Sequence, residues 1–431
     1  MPHAEVTLTD GKPTTLNVAN YMKHRGSKIQ ADRSIVMKGF WDNQKKYENT
    51  YASLLNGEIK SHWFGAQVGK YNSSLEARLY PTAIDLSVYT ELIKAVNDHL
   101  GSLQRFLILK KKMLKLDNYS YDDIYASAVK SVSKTYTYDE AKQIILKTLE
   151  PLGKNYTDIV NKAFNEGWID IYPNKGKESG AYSSGLYGVH PYIKMNYNGN
   201  YNALTTLIHE LGHTMHSYYS DKTQPYATSQ YETFLAEIAS TFNENLLMQY
   251  ILKNETDELF KIYILDQYLD NARATIFRQT LFAEFELAMH QRVESGQSLT
   301  AEFLNAKYLE LTKKYYGEEK GVMKVPDYIQ SEWSYIPHFY MNYYVFQYST
   351  GLIASMALSE MVTNGKETER DRYIAMLSSG GKDYPLNLLR NAGVDMTKPE
   401  AYNAAFANFD KLVGQMETLY NKLDKEGKFN K

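Results

Sequence analysis

The sequence predicts a mainly α-helical fold with one small β-sheet set just before a central helix, and three observations carry that expectation. From about residue 17 to 165, apolar residues recur at helical spacing with few glycines or prolines between them, as in Leu92, Ile93, Val96, Leu100, Leu103, Phe106 and Leu107. Between Trp168 and Asn200 the texture changes, because Pro173, Gly176, Gly180, Gly185, Gly188 and Pro191 interrupt every helical pattern and leave room only for short strands. Helical periodicity resumes at about 202 and runs through the rest of the chain, punctuated by Gly380, Gly381 and Gly393.

Inside the interrupted stretch, residues 192–197 alternate polar and apolar character before a turn at Asn198, Gly199 and Asn200, the pattern of one strand. No Pro/Ser/Gly linker, internal repeat or low-complexity segment divides the chain. Residues 1–431 therefore read as a single unit, with a helical lobe over 1–165, sheet and loops over 166–200, and a second helical region over 201–431.

A chain of 431 residues can bury a large core and form lobes around a cleft. Hydrophobic residues make up 43% and charged residues 23%, which argues against disorder or a membrane-embedded body. Tyrosine is abundant, with 38 copies, and its apolar ring with a polar tip suits long wet internal surfaces as well as packing. Lys plus Arg total 48 against 50 Asp plus Glu, so no broad field gathers nucleic acid or anionic lipid. The basic run Lys110, Lys111, Lys112 and Lys115 lies among leucines at helical spacing and reads as a solvated helix face. With no cysteine, any metal site must use histidine and carboxylate, and a reducing cytoplasm is the expected compartment. The start of the chain lacks the basic and apolar regions of a signal peptide, and no run of 18 apolar residues follows, so no membrane partner is expected.

The chemistry concentrates in residues 204–215. Leu204, Leu207, Ile208, Leu211 and Met215 form the stripe of a buried amphipathic helix that carries His209, Glu210 and His213. At about 100° per residue, the two histidines stand about 40° apart around the axis and one turn apart along it, so both imidazoles can reach one ion. Glu210 lies about 100° to the side, near the open position of such an ion without occupying it. This H-E-x-x-H pattern is the zinc-hydrolase signature, two neutral nitrogens on the metal and a glutamate that takes a proton from water.

A catalytic zinc site needs a third protein ligand, which here must be Glu, Asp or His. Ser229 to Glu232 has the spacing of a capping box, which predicts a helix starting there and gives Glu232 the role of holding its own backbone. Glu237 falls two turns inside that helix, flanked by Phe234, Leu235, Ile238 and Ala239, where an unpaired carboxylate is expensive and a metal resolves the cost. Glu237 is the expected ligand, Glu244 on the same face is expected to orient a ligating histidine, and His216 is expected to pack beneath the helix.

With these residues in place, the chain resembles the oligoendopeptidase F family, within the wider group that includes thimet oligopeptidase. The resemblance runs through Gly180 to Ser183, His190 to Ile193, His209 to His216, Phe234 to Thr241, Phe277 to Thr280, His338 to Tyr340, Tyr348 to Gly351 and Leu377 to Gly381. It implies a zincin-like helical metallopeptidase fold with a deep substrate channel, a small sheet next to the zinc-binding helix, one zinc per chain on His209, His213 and Glu237, and cleavage of short peptides. It also implies roles for His338 and for Tyr348 as donors to the oxyanion. Tyr340, Tyr344 and Tyr348 fall at i, i+4 and i+8, so their hydroxyls are expected to share one wall, with Tyr344 touching substrate.

Members of that family usually carry a further helical segment before the region where this chain begins, which leaves open a separate N-terminal segment or self-association. The sequence-level mechanism has Glu210 as general base, while residues 192–197 bind an extended peptide by β-addition through Tyr192 and Ile193. The glycine- and serine-rich loop 175–188 is a candidate lid. The rival readings are a zinc hydrolase of another amide or ester, and a peptide-binding module with weak turnover.

Overall fold

Apolar periodicity becomes helix through most of the first part of the chain, with a break between Leu114 and Tyr138 where the described residues hold no helix but the 3-10 turn Tyr121–Asp123. The computed structural model describes residues 2–129 and 134–429. Eight α-helices fill the expected helical stretch among these residues: α1 (Val18–His24), α2 (Gln30–Lys45), α3 (Glu48–Val68), α4 (Ser74–Leu79), α5 (Leu86–Asp98), α6 (Leu100–Leu114), α7 (Tyr138–Thr148) and α8 (Lys154–Asn165). Their starts follow capping chemistry. Ser73 and Asp85 accept backbone N–H groups at the heads of α4 and α5, and Thr137 with Glu140 closes a capping box at α7. Before them lies a hairpin that the periodicity did not announce, with β1 (Glu5–Thr7) antiparallel to β2 (Pro13–Thr15). Its signal was the Asp10-Gly11 dipeptide, since Gly11 adopts φ 79° in the turn.

The glycine-rich interruption folds into a three-stranded sheet of β3 (Ile169–Asp170), β4 (Tyr182–Ser184) and β5 (Tyr192–Lys194). The order is β3-β5-β4, with β5 parallel to β3 and antiparallel to β4. The expected strand over 192–197 is present as β5, and its pairing runs on through Met195 N–H to Asp170 O and Tyr197 N–H to Ile171 O. The expected turn follows, where Gly199 takes φ 81° and Asn200 caps the next helix by accepting from Ala203 N–H.

From there the chain is helical again, through α9 (Tyr201–Thr223), α10 (Thr233–Asn254), α11 (Glu258–Ala272), α12 (Arg278–Glu294), α13 (Ala301–Tyr316), α14 (Phe346–Asn364), α15 (Glu367–Leu377), α16 (Pro385–Ala392) and α17 (Pro399–Lys425). A π-helical turn, Arg273–Phe277, joins α11 to α12. One continuous cluster of buried apolar side chains runs from Leu8 to Phe429.

Two local expectations are corrected. The helix carrying Glu237 does not start from a Ser229 to Glu232 capping box: α10 begins at Thr233, and Glu232 sits at the cap with no side-chain hydrogen bond. Ser229 is instead buried, its hydroxyl donating back to Tyr226 O while its carbonyl accepts from Ser220 Oγ. A tertiary contact between two chain segments thus displaced the local cap.

The second correction concerns the three tyrosines, of which only Tyr348 lies in α14, because Tyr344 comes two residues before its start at Phe346 and Tyr340 is farther removed. It belongs to a short 3-10 turn, Pro337–Tyr340, and the chain then bends through Asn342 (φ 43°) and Tyr343 (φ 54°) before α14 begins.

Gly212 sets the distance between α9 and α10. A Cβ at this position would lie 2.5 Å from both the Ala239 carbonyl oxygen and Ser240 Cα, so the helices approach backbone to backbone there. Gly212→Ala is expected to lower stability by about 1–3 kcal/mol and to weaken metal binding, because relief of the clash moves α10 and its carboxylate away from α9. Urea unfolding and zinc titration of the variant test both parts, and an unchanged zinc affinity would show that α10 tolerates the shift.

Candidate metal centre

The apolar stripe of α9 is fully realised, with Leu204, Leu207, Ile208, Leu211 and Met215 all at 0% exposure. Burying that stripe turns His209 and His213 to one open side of the helix. Their Nε2 atoms stand 3.2 Å apart, and Glu237 Oε2, reaching across from α10, is 3.5 Å from each. Ligands about 2.0–2.1 Å from a tetrahedral zinc stand about 3.3 Å from one another, so the three atoms are spaced as that ion requires. The donor set fits as well, with two imidazole nitrogens and one carboxylate oxygen converging and no cysteine.

Surrounding groups orient this set. Glu244, two turns beyond Glu237 on α10, lies 2.7 Å from His209 Nδ1, which directs the Nδ1 proton to the carboxylate and leaves the Nε2 lone pair facing the centre. Burial opposes a proton on His209, but Glu244, Glu237 and Glu210 outweigh it and lift its pKa to about 9. Glu237 is also penalised by burial, yet His213 and His209 hold it ionised, with a pKa lowered to about 2. Ser240 Oγ donates to Glu237 Oε2 at 2.8 Å and fixes its rotamer.

Glu210 stands outside the triad. Its residue is 7% exposed, and burial raises its carboxyl above the usual range while His209 and His213 act to lower it. Thr214 Oγ1 donates to Glu210 O and lies 2.8 Å from Ser183 Oγ, which ties β4 to α9 beside this carboxyl. A cavity of about 460 Å³ opens next to His209 and Glu210, where the amides of Asn202, Gln267 and Asn271 join the carboxylates of Glu210 and Glu244 and the rings of Tyr263 and Tyr268.

His216 packs under α9 as expected. It is fully buried and stacked on Tyr231 at 3.5 Å, and burial lowers its pKa to about 3.

The structure separates the remaining predicted residues. His338, Tyr344 and Tyr348 come together, with the His338 ring 6.1 Å from Tyr344 and 5.9 Å from Tyr348, and the two tyrosine rings 5.4 Å apart. Tyr348 feels the charge of Glu237, and α14 passes so close that a Cβ on Gly351 would be 3.9 Å from Glu237 Cβ. Burial, with Tyr344 and Glu237 adding to it, keeps the Tyr348 phenol protonated far above neutral pH.

Tyr192 and Ile193 do not join the site. Ile193 is 1% exposed and faces the core, while Tyr192 lies on the opposite face of the sheet with its ring 4.5 Å from His190. Their strand, β5, is flanked by β3 and β4, so neither of its edges is free for β-addition. The open edge near α9 is that of β4, with which no other strand pairs among the described residues besides β5. Three residues are too short a run for periodicity to reveal, and only the sheet order shows which strand is outermost.

A mostly helical fold that brings two helix-borne imidazoles and a carboxylate from the next helix to one point defines a metallopeptidase-type centre. The profile of peptidase family M3 matches residues 24–408, and the chain belongs to that family. It is 44% identical over 414 residues to the oligopeptidase PepF of Bacillus subtilis, an alignment covering 96% of this chain and 61% of that protein. It is 41% identical over 412 residues to the group B oligopeptidase PepB of Streptococcus agalactiae, covering 96% of this chain and 68% of that one. The crystal structure of oligoendopeptidase-F from Enterococcus faecium superposes with a TM-score of 0.80 at 34% identity, covering 98% of this chain and 70% of that one. The chain thus spans about three fifths of the length of PepF.

Proposed function

We propose that this chain is a zinc-dependent endopeptidase that hydrolyses short peptides, with one zinc on His209, His213 and Glu237 and with Glu210 as general base. The observation that carries this reading is the convergence of three ligand atoms at 3.2–3.5 Å beside a buried glutamate. Zinc bound there supplies Lewis acidity, which acidifies water and polarises a carbonyl. Glu210 accepts a proton as the water oxygen bonds to the scissile carbonyl carbon, then gives that proton to the leaving amine as the C–N bond breaks. Its burial raises the pKa of a carboxyl that has to hold and then release a proton.

Tyr348 donates to the oxygen on which negative charge grows, with Tyr344 and His338 packed around it; one such aimed donor is worth about 3–4 kcal/mol. Backbone pairing of an extended peptide falls to the outer edge of β4 instead of residues 192–197, which favours unfolded chains and reads little of their sequence. The cavity beside His209 receives a neighbouring side chain. Among the described residues no helix is long and apolar enough to cross a membrane, and the cysteine-free composition suits the cytoplasm.

The test is cleavage of a quenched fluorescent peptide of about eight residues, a length chosen for an extended substrate. Cleavage abolished by a chelator and restored by zinc is the expected result. Zinc bound without any cleavage would favour the peptide-binding reading.

A further inference from the structure

On the reading that Tyr344 and Tyr348 serve the reacting carbonyl, the bend that joins them to His338 decides where their hydroxyls stand. That bend is unusual. Asn342 and Tyr343 are consecutive non-glycine residues with φ 43° and 54°, an arrangement that persists only where the surroundings over-determine it.

The determinants come from three helices of the fold, α4, α5 and α12. Tyr343 N–H donates to Glu286 Oε1 of α12 at 2.6 Å, and Arg78 Nε of α4 donates to the Asn342 carbonyl at 3.0 Å. The Tyr343 ring, 1% exposed, lies against His290 at 4.2 Å and edge-on to Tyr89 at 5.3 Å. The same helical rod holds the next segment. Ser349 Oγ, one residue past Tyr348, donates to the Thr275 and Ile276 carbonyls in the π-helical turn that leads into α12. The rod Arg273 to Glu294 therefore grips the tyrosine segment on both sides of Tyr344 and Tyr348.

Glu286 is a costly residue to spend on this grip. It is fully buried, and burial raises its carboxyl pKa to about 8 despite Tyr343 N–H and Arg78. A leucine or methionine would fill such a position without that cost, but would leave Tyr343 N–H buried and unpaired.

We propose that Glu286 is a positioning residue: with Arg78 it clamps the left-handed turn at Asn342 and Tyr343, and so places the Tyr344 and Tyr348 hydroxyls over the metal centre. It touches no substrate and acts only through those tyrosines.

The test uses the full chain with fluorotyrosine at position 348, read by fluorine NMR, in wild type, Glu286→Ala, Glu286→Gln and Arg78→Met. Glu286→Ala is expected to shift the Tyr348 fluorine resonance and to lower kcat by roughly 10- to 100-fold, with zinc content unchanged and KM within about threefold. Glu286→Gln, which keeps an acceptor for Tyr343 N–H, restores most of both. In a Tyr348→Phe background, Glu286→Ala has little further effect on kcat. A folded Glu286→Ala protein with an unmoved resonance and normal kcat overturns the proposal, as does an equal loss with and without Tyr348. Should Glu286→Ala fail to fold, Arg78→Met decides, because an unmoved resonance there removes the clamp. The fluorine signal remains readable if the wild type cleaves no peptide, so failure of the peptidase reading is distinguishable from failure of the clamp.

Discussion

Glu210→Gln is expected to match the wild type in zinc binding and to lose about 10²–10⁴-fold in kcat. The substitution keeps the shape of the side chain and removes only its basicity. Metal binding survives because the three converging atoms belong to His209, His213 and Glu237, and the contacts that orient His209 and Glu237, from Glu244 and Ser240, do not pass through Glu210. Turnover collapses because the amide cannot accept the proton of the attacking water, nor return one to the amine that leaves. The low exposure of Glu210 sharpens the expectation, since bulk solvent has poor access to replace it. Metal analysis paired with steady-state kinetics on a fluorogenic peptide reads both halves. Near-normal kcat with zinc bound would eliminate Glu210 as the base and turn attention to His338 or Tyr348.

Glu237→Ala should fail one step earlier, at the metal. Removing one of the three proposed ligands takes away the only carboxylate in the set and leaves two imidazoles from a single helix. Loss of an outer partner alone typically costs 10–100-fold in metal affinity, so loss of this ligand is expected to exceed about 100-fold. Competition against a chromogenic chelator measures it directly. Glu244→Ala supplies the comparison: it removes the 2.7 Å contact to His209 Nδ1 but no ligand, so its loss should fall within that 10–100-fold range. Equal zinc affinities for wild type and Glu237→Ala would mean that another acid completes the set.

The legible part of this protein was the part that helical geometry dictates over short range. Leu204 to Met215 announce a buried helix, and four-residue spacing alone places His209 and His213 on one side of it. Glu237 was legible for a different reason, as a carboxylate among Phe234, Leu235, Ile238 and Ala239 that called for a partner. The capping box at Ser229 misled because a local hydrogen-bonding pattern met stronger competition: Ser220 from α9 takes the Ser229 carbonyl, and the helix begins later. Tyr340 misled because residue spacing was counted through a bend that no glycine marks, held open by Glu286 and Arg78 from distant helices.

The sheet shows the same division. A strand over 192–197 was readable from alternation, but its place between two others was not, because pairing order depends on which segments meet in space. By itself, then, the sequence determined the helical class, the central helix, its two histidines with the adjacent glutamate, and the acid best suited to join them. Only the tertiary structure decided that the acid arrives 3.5 Å from both imidazoles, that β4 is an outer strand of its sheet, and that Tyr344 and Tyr348 gather with His338. The reason is physical: angles around one helix follow from its 3.6-residue turn, whereas distances between elements follow from packing. Here that packing is the backbone contact at Gly212 and the buried clamp on Tyr343, each between segments well separated along the chain.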